Sequence, residues 1–235
     1  MALPKLNEMP KYQATIPSTQ NEITFRPFVV KEEKILLIAM ESQDPKQIAG
    51  SILDTVVSCV YDNVDPKSLT SYDVEYLFIK IRSKSIGENT NVNLICKHCE
   101  HENETAINLE DIKIDGNPLP KNVKLSDKVS VEMKQPSYLD IASNEKVTGD
   151  SAMDRIFGLI YESIAAVVTA DERIDMSEVN YKEFEEFIES MSSEQFGKIR
   201  EFMENIPTLR HKVSFKCESC GKDNEITLEG MQSFF

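Results

Sequence analysis

The strongest constraint on the fold is a pair of Cys-x-x-Cys motifs that lie far apart in the sequence. Their four cysteines are Cys96, Cys99, Cys217 and Cys220. Residues 94–104 around the first motif align with 214–225 around the second, with one residue of slack before the first cysteine. Each segment has the pattern of a zinc knuckle, a β-hairpin whose tight turn brings two thiolates to one side. Because a structural zinc ion takes four ligands in a tetrahedron, the two knuckles are predicted to share one ion.

The spacing of the motifs adds a topological requirement. Paired motifs in a standard zinc ribbon are about 15 to 20 residues apart, whereas these are separated by roughly 120. The two halves are therefore predicted to form a split zinc ribbon, with the intervening residues inserted as a domain. Two alternatives remain, namely two independent redox dithiols or one metal per knuckle in a dimer. A thioredoxin-type redox motif lies at a strand-to-helix junction. Both motifs in this sequence are predicted to lie between two strands, which favours a metal site over a redox dithiol.

The ligand set indicates a structural rather than a catalytic metal. Four thiolates leave no open position for water, whereas a catalytic zinc usually has three protein ligands, often histidines. His98 and His101 are alternative ligands beside the first motif, but they are interpreted as surface residues. The H-E-x-x-H, P-loop and G-x-S-x-G motifs are absent from the sequence. We therefore expect no enzymatic activity.

Two other groups have residue types that bind metals or react as nucleophiles. Asp171, Asp175 and Glu178 loosely resemble a calcium-binding loop, but the spacing is wrong and the central glycine is missing. They are expected to form a solvated acidic loop. Cys59 lies in the apolar run ILDTVVSCV and is expected in the core, because free cysteine packs as a small hydrophobe.

Charge and hydropathy exclude several classes of partner. The 235 residues carry a formal net charge of −14, without a concentrated basic cluster. Nucleic acids and anionic membranes usually require such a cluster, so neither is expected as a partner. The apolar runs fall far short of the roughly 20 residues that span a bilayer, and the N-terminus lacks a signal-peptide pattern. We expect a cytoplasmic protein without a disulfide framework.

Helix and strand signals together predict an α+β fold that is mainly helical, a helical body with two zinc knuckles. Prolines and apolar periodicity divide the chain into five segments. These are an extended N-terminal arm at 1–27, a helical segment at 28–87, the first zinc knuckle with further strands at 88–135, a helical segment at 136–208 and the second zinc knuckle at 209–235.

Local signals place individual elements within these segments. The arm contains a possible hairpin over residues 12–25, and apolar spacing in VVKEEKILLIAMES predicts the first helix. The dipeptides Asp44-Pro45 and Asp65-Pro66 have the pattern of an N-cap followed by proline, which opens a helix. Alternation in KVSVEM predicts a strand, and the apolar stretch MDRIFGLIYESIAAVVTA predicts one buried helix.

The N-terminal sequence carries the most specific signature. It comprises Lys11-Tyr12, IPST at 16–19 and FRPFVVKEEKILL at 25–37. With these residues and the two knuckles, the whole chain resembles the baseplate hub protein family of T4-like contractile-tailed bacteriophages. The resemblance implies a non-enzymatic structural or assembly component of the central hub. It further implies other hub proteins and the tape-measure protein as partners, with a location in the host cytoplasm during assembly and in the virion tail baseplate.

The junction between the arm and the first helix is a candidate partner surface. Its candidate contacts are Phe25, Arg26, Phe28 and Lys31. The charges there fit equally well with a capped and solvated first helical turn. The arm is expected either to contact a neighbouring protein or to fold back onto its own chain, and folding back is favoured for the C-terminus.

A zinc-ribbon nucleic-acid-binding regulator is the alternative function. Its knuckle tips would have to reach a groove or loop of nucleic acid, which requires positive charge. The loop residues with ionisable side chains are Lys97, His98, Glu100, His101 and Glu102 in one knuckle and Lys216, Glu218, Lys222 and Asp223 in the other. Their mixed charge favours the hub protein over the regulator.

Overall fold

The structure is a computed structural model that describes residues 9–116, 120–147 and 151–234. It divides into two compact units, whose described residues fall within Met1–Ile114 with Thr208–Phe235 and within Asp115–Pro207. We call them the discontinuous unit and the inserted unit. Both mix helices and strands, which confirms the predicted α+β class. Residues 1–8 of the predicted arm lie outside the described residues.

The described part of the discontinuous unit contains three helices and three small sheets. The helices are α1 (Val30–Ser42), α2 (Pro45–Cys59) and α3 (Ser71–Ser85). The sheets are the hairpin of β1 (Tyr12–Thr15) and β2 (Glu22–Phe25), the hairpin of β3 (Asn89–Ile95) and β4 (Glu102–Asn108), and a sheet in which β10 (Thr208–Lys216) lies between β11 (Asp223–Glu229) and β5 (Lys113–Asp115). A 3-10 turn, Met231–Phe234, follows β11.

Side chains just before α2 and α3 cap the first turns of these helices. Asp44 accepts a hydrogen bond from the Lys46 N–H at 2.9 Å, and a proline takes the first helical position, as predicted. Asp65 caps only a short 3-10 turn. The helix α3 begins after it, where Thr70 and Asp73 form a reciprocal capping box. The second Asp-Pro pattern therefore marks a turn and not the start of a helix.

The N-terminal hairpin packs against its own chain. Ile16, Ile23 and Phe25 are buried, and the Ser18 N–H donates to Asp73 Oδ1 of α3 at 2.9 Å. Apolar side chains two positions apart on β2 point to the same face of the hairpin, and that face requires a cover. Residues 12–25 thus form the hairpin that the sequence allowed, and not an extended arm.

One hydrophobic cluster joins α3 to both cysteine-bearing hairpins. Tyr72 and Ile79 supply the helix side of this cluster. The hairpin residues in it are Val92, Leu94, Ile107, Val213 and Leu228. Phe234 from the C-terminal turn is fully buried in the same cluster, as expected for a C-terminus that folds back. Hydrophobic burial therefore holds both hairpins on one helix independently of the cysteines.

The inserted unit is built on an antiparallel sheet in the order β6-β7-β8-β9. Its strands are β6 (Asn122–Lys124), β7 (Val129–Met133), β8 (Ile164–Thr169) and β9 (Arg173–Asp175). The helices are α4 (Tyr138–Ser143), α5 (Ala152–Ser163), α6 (Tyr181–Glu189) and α7 (Ser193–Glu204). The helices α5, α6 and α7 contribute apolar residues to a second core with the sheet, which includes Val131, Ile164, Phe184 and Ile199.

The prediction of one buried helix over MDRIFGLIYESIAAVVTA is wrong. The helix α5 ends at Ser163, and Ile164–Thr169 forms the central strand β8 between β7 and β9. Isoleucine, valine and threonine dominate this stretch, and β-branched residues favour strands. Periodicity cannot separate a buried helix from a buried strand in a continuous apolar run. The segment 136–208 is therefore not wholly helical.

The described helices include none with the length and apolar character needed to cross a membrane.

Glu75 on α3 makes the stability of the discontinuous unit depend on pH. Its Oε2 accepts the Met231 N–H at 3.3 Å, and burial raises its pKa from 4.5 to about 7. The folded state binds the proton of the Glu75 carboxyl more tightly than the unfolded state does. Ionising Glu75 therefore costs folding free energy, and this cost is absent below pH 4.5 and grows as pH rises to about 7. Glu75→Gln should raise the free energy of unfolding by about 1 to 3 kcal/mol at pH 8.

Urea unfolding at pH 8 and at pH 4 measures this difference against the wild type. Glu110→Gln is a matched control, because Glu110 is buried in part but paired with Lys80, Ser83 and Lys84. Burial opposes ionisation of Glu110, but these partners outweigh it and lower its pKa to about 2. Glu110→Gln should therefore destabilise the protein at pH 8. Stabilisation by Glu75→Gln of the same size at both pH values would contradict the assignment.

Candidate metal centre

Each Cys-x-x-Cys motif lies in the turn of a β-hairpin, and the two turns have the same hydrogen bonds. Between β3 and β4, the Cys96 N–H donates to His101 O at 2.9 Å and the Glu100 N–H donates to Cys96 O at 3.0 Å. Between β10 and β11, the Cys217 N–H donates to Lys222 O and the Gly221 N–H donates to Cys217 O, both at 2.9 Å. The internal repeat in the sequence is thus a repeat of local backbone structure.

The structure brings all four cysteines of the two turns together. Their Sγ atoms all lie within 4.8 Å of one another. The Sγ atoms of Cys96 and Cys220 are 3.7 Å apart, and those of Cys99 and Cys217 are 3.6 Å apart. These distances are far above the length of a disulfide bond, which is about 2.05 Å. Both short distances join one hairpin to the other, whereas a dithiol redox motif would pair its own two cysteines.

The two short sulfur–sulfur distances are close to those around a tetrahedral zinc ion. A tetrahedron with Zn–S distances of about 2.3 Å has S–S edges of about 3.8 Å, close to the two short distances. His98 and His101 are exposed and lie outside the cluster. The group of potential metal ligands that the described residues place together consists of cysteines alone. We call Cys96, Cys99, Cys217 and Cys220 the tetrad. The four cysteines singled out in the sequence thus lie close together and could hold a metal ion.

Two buried asparagines connect the hairpins around the tetrad. Asn224 Oδ1 accepts the Lys97 N–H at 3.0 Å, and Asn103 Oδ1 accepts the Glu218 N–H at 2.9 Å. Lys97 and Glu218 each directly follow the first cysteine of a motif, so the two contacts are related by the repeat. Each asparagine also donates its amide to a carbonyl of its own turn. Only the matching register of the asparagines was visible in the sequence, and their contacts were not predicted.

Hydrogen bonds favour the thiolate form at two of the cysteines. Burial opposes ionisation of Cys96, but the N–H groups of His98 and Cys99 and the amide of Asn224 outweigh it and lower its pKa to about 6. The Cys220 N–H is the main cause of a lowered pKa at Cys217. At Cys99 the His101 N–H also favours the thiolate, but burial and the neighbouring thiols outweigh it and raise the pKa of Cys99. Thiolates are the form that binds metal ions, so the backbone N–H groups of both turns support ligation.

Glu100 has a backbone conformation that favours glycine. Its φ is 60°, and the equivalent position in the other turn is Gly221 with a φ of 69°. Glu100→Gly should raise the free energy of unfolding by about 1 kcal/mol, because a side chain is strained in this region. Gly221→Ala should lower it by about the same amount.

Urea unfolding of the metal-loaded protein measures both changes. A Cβ on Gly221 would meet only Lys216 Cε, at 4.0 Å, so Gly221→Ala isolates the backbone effect. Destabilisation by Glu100→Gly would contradict this account of the turn.

Most of the residues predicted to contact a partner are buried or support the start of α1. Phe25 and Phe28 are buried, so their side chains are not available to a partner on this surface. Arg26 donates to Glu32 Oε1 at 2.9 Å, and Glu32 is itself buried as the capping residue of α1. Lys31 is exposed. The residues at this junction therefore mainly support the start of α1.

The other two groups singled out in the sequence have structural roles. Cys59 is buried in the core, as predicted. Asp175 pairs with Arg173 at 3.2 Å and caps the turn at Ser177, so the acidic loop stabilises its own backbone.

The fold and the tetrad define a class of two-unit α+β proteins in which two hairpins from distant parts of the chain form a four-cysteine cluster. A family model described as T4 bacteriophage base plate protein matches residues 9–235, and the chain belongs to this family. The baseplate hub assembly protein gp26 of Enterobacteria phage T4 is 25% identical over 227 residues, which cover 97% of this chain and 99% of that protein. No solved structure matches the chain. The family resemblance inferred from the sequence is confirmed.

Proposed function

We propose that the protein is a non-enzymatic structural or assembly component of the central baseplate hub of a contractile-tailed bacteriophage. The observation that carries this role is the match of nearly the whole chain, 97%, to a protein named as a baseplate hub assembly protein. Alignment across both compact units favours a shared role for the whole protein rather than for one module.

The four cysteines hold one structural zinc ion in this proposal. Cys96, Cys99, Cys217 and Cys220 supply four thiolates, and the hairpins that carry them form a split zinc ribbon. When bound, zinc with four thiolates provides a rigid cross-link without an open position for a substrate or water. The two short sulfur–sulfur distances between the hairpins support this assignment.

The zinc ion cross-links the two parts of the chain that form the discontinuous unit. The first hairpin precedes the inserted unit in the sequence and the second follows it. A cross-link between them fixes both parts of the discontinuous unit to each other, in addition to the core around α3. A hub component needs surfaces that keep their shape during assembly, and such a cross-link makes the discontinuous unit more rigid.

The partners in this proposal are other hub proteins and the tape-measure protein, met in the host cytoplasm during assembly and in the tail baseplate. The absence of a basic face from the knuckle loops, which mix Lys97 and Lys222 with Glu100 and Asp223, argues against nucleic acid. A binding assay with a salt series separates the two functions, because a nucleic-acid partner would give tight and salt-sensitive binding.

Complementation of a phage that lacks the gene tests the hub role. Wild-type protein should restore complete baseplates in electron micrographs, whereas Cys217→Ser should not. Cys59→Ala, which removes a thiol outside the tetrad, should restore them and serves as the matched control. Normal tails from the phage without any copy of the protein would overturn the role. Mass spectrometry of purified particles then separates a virion component from an assembly factor.

A further inference from the structure

The helix α1 presents an apolar face to solvent. Five of its large apolar residues leave 41% to 76% of their surface exposed. They are Val30, Ile35, Leu37, Ile38 and Met40. Single exposed apolar residues are common in soluble proteins, but Val30, Leu37 and Ile38 lie within about 100° of one another around the helix, and such a group marks an interaction surface. We call these three residues the α1 face.

The opposite side of α1 contributes little burial of its own. Within this helix only Glu32 and Ala39 are buried, and Glu32 is a charged residue held by Arg26. A helix of 13 residues is marginal in water without packing of an apolar face. Among the described residues, none covers the side of α1 that carries Val30, Leu37 and Ile38, so a partner there would stabilise the helix.

Two charged residues lie within the α1 face and identify the partner. Lys34 and Glu41 are exposed and make no ion pair with any of the described residues. They are seven residues apart, which is two helical turns or about 10 Å, and lie on the same side as Val30 and Leu37. Leu37 and Ile38 occupy the middle of the interval between the two charges.

This arrangement is complementary to itself in one orientation. When two copies of α1 pack antiparallel around a two-fold axis near Leu37 and Ile38, Lys34 of each copy faces Glu41 of the other. Leu37 of one copy then faces Ile38 of the other between the two ion pairs. A parallel pair would instead place Lys34 against Lys34 and Glu41 against Glu41. Antiparallel packing also places each helix N-terminus beside the C-terminus of its neighbour, which the helix dipoles favour.

We propose that the α1 face binds a second copy of this chain, as an antiparallel two-fold helix pair with reciprocal Lys34–Glu41 contacts. The dimer buries the apolar side chains of the α1 face, which the single chain leaves exposed. It stands independently of the zinc site and of the hub role, because it depends only on the sequence and exposure of α1.

Sedimentation equilibrium of the full-length metal-loaded protein tests the dimer. The wild type should show a monomer–dimer equilibrium. Lys34→Glu should weaken dimerisation about tenfold or more, because it places a second carboxylate against Glu41 at both ends of the helix pair. The double variant Lys34→Glu with Glu41→Lys should restore the wild-type dissociation constant, since the two charges are then exchanged but still complementary.

Leu37→Glu should abolish the dimer by placing charge at the centre of the face. Met153→Glu is the matched control on α5, because Met153 has nearly the same exposure, 59% against 56% for Leu37, and lies in the other unit. It should leave dimerisation unchanged, and circular dichroism should show that all variants keep their helices. A wild type that stays monomeric at the highest soluble concentration would overturn the proposal. A double charge exchange that fails to restore association in a folded variant would also overturn it.

Discussion

Cys217→Ser is expected to release the zinc ion and to lower the free energy of unfolding by more than about 3 kcal/mol, because the binding energy of a structural metal is part of the folding energy. Three thiolates and a hydroxyl cannot complete the tetrahedron that the four Sγ atoms define within 4.8 Å of one another. Metal analysis of the purified variant and urea unfolding measure the two effects.

The rest of the discontinuous unit should survive this change in part. The cluster that joins Ile79 of α3 to both hairpins does not involve the cysteines. Hydrogen exchange should therefore increase most in the hairpin turns and least in α3. Cys59→Ala should keep its zinc, because Cys59 is buried elsewhere in the core. Full zinc content in Cys217→Ser would contradict a site shared between the hairpins.

Asn224→Ala and Asn103→Ala are expected to have the next largest effects. Each change removes a buried asparagine that accepts a part-buried hydrogen bond from a backbone N–H of the opposite hairpin, and the loss of such a partner costs about 1 to 3 kcal/mol. Asn224 also donates its amide to Cys96 Sγ at 3.4 Å. Loss of such a supporting contact typically weakens metal binding about 10-fold to 100-fold, so Asn224→Ala should affect zinc affinity more than Asn103→Ala.

A competition titration with a chelator measures the zinc affinities, and a double-mutant cycle measures how far the two asparagines depend on each other. Asn91→Ala is the control within the same hairpin, because Asn91 is exposed and contacts only the exposed Glu104 among the hydrogen bonds described. It should change stability by less than about 0.5 kcal/mol. Equal zinc affinities for Asn224→Ala and Asn91→Ala would contradict the role of Asn224 at the metal.

The sequence predicted the tetrad because its signal is local and repeated. Two Cys-x-x-Cys motifs in matching hairpin patterns specify their own turns, and the four-ligand requirement of zinc then links them. The contacts of Asn103 and Asn224 could not be predicted in the same way. Each joins residues 115 or more positions apart, which only the packing of both hairpins on α3 brings together.

Two stretches of the chain have apolar residues that fit two arrangements equally well. The run at Ile164–Thr169 suits a buried strand as well as a buried helix, and its neighbours β7 and β9 decide the outcome. In α1, Ile35 with Ile38 and Leu36 with Ala39 both have helical spacing, so the sequence cannot say which pair faces inward. The structure buries Ala39 and exposes Ile35 and Ile38.

Zinc-edge X-ray absorption of the wild-type protein, combined with its metal content, shows whether one zinc ion joins the two hairpins. We expect one zinc ion per chain with four sulfur neighbours at about 2.3 Å and no nitrogen or oxygen ligand. Two sulfur atoms with nitrogen or oxygen ligands would show that each hairpin binds a metal separately. That result, or a purified protein without stoichiometric metal, would contradict the proposal that Cys96, Cys99, Cys217 and Cys220 bind one shared zinc ion.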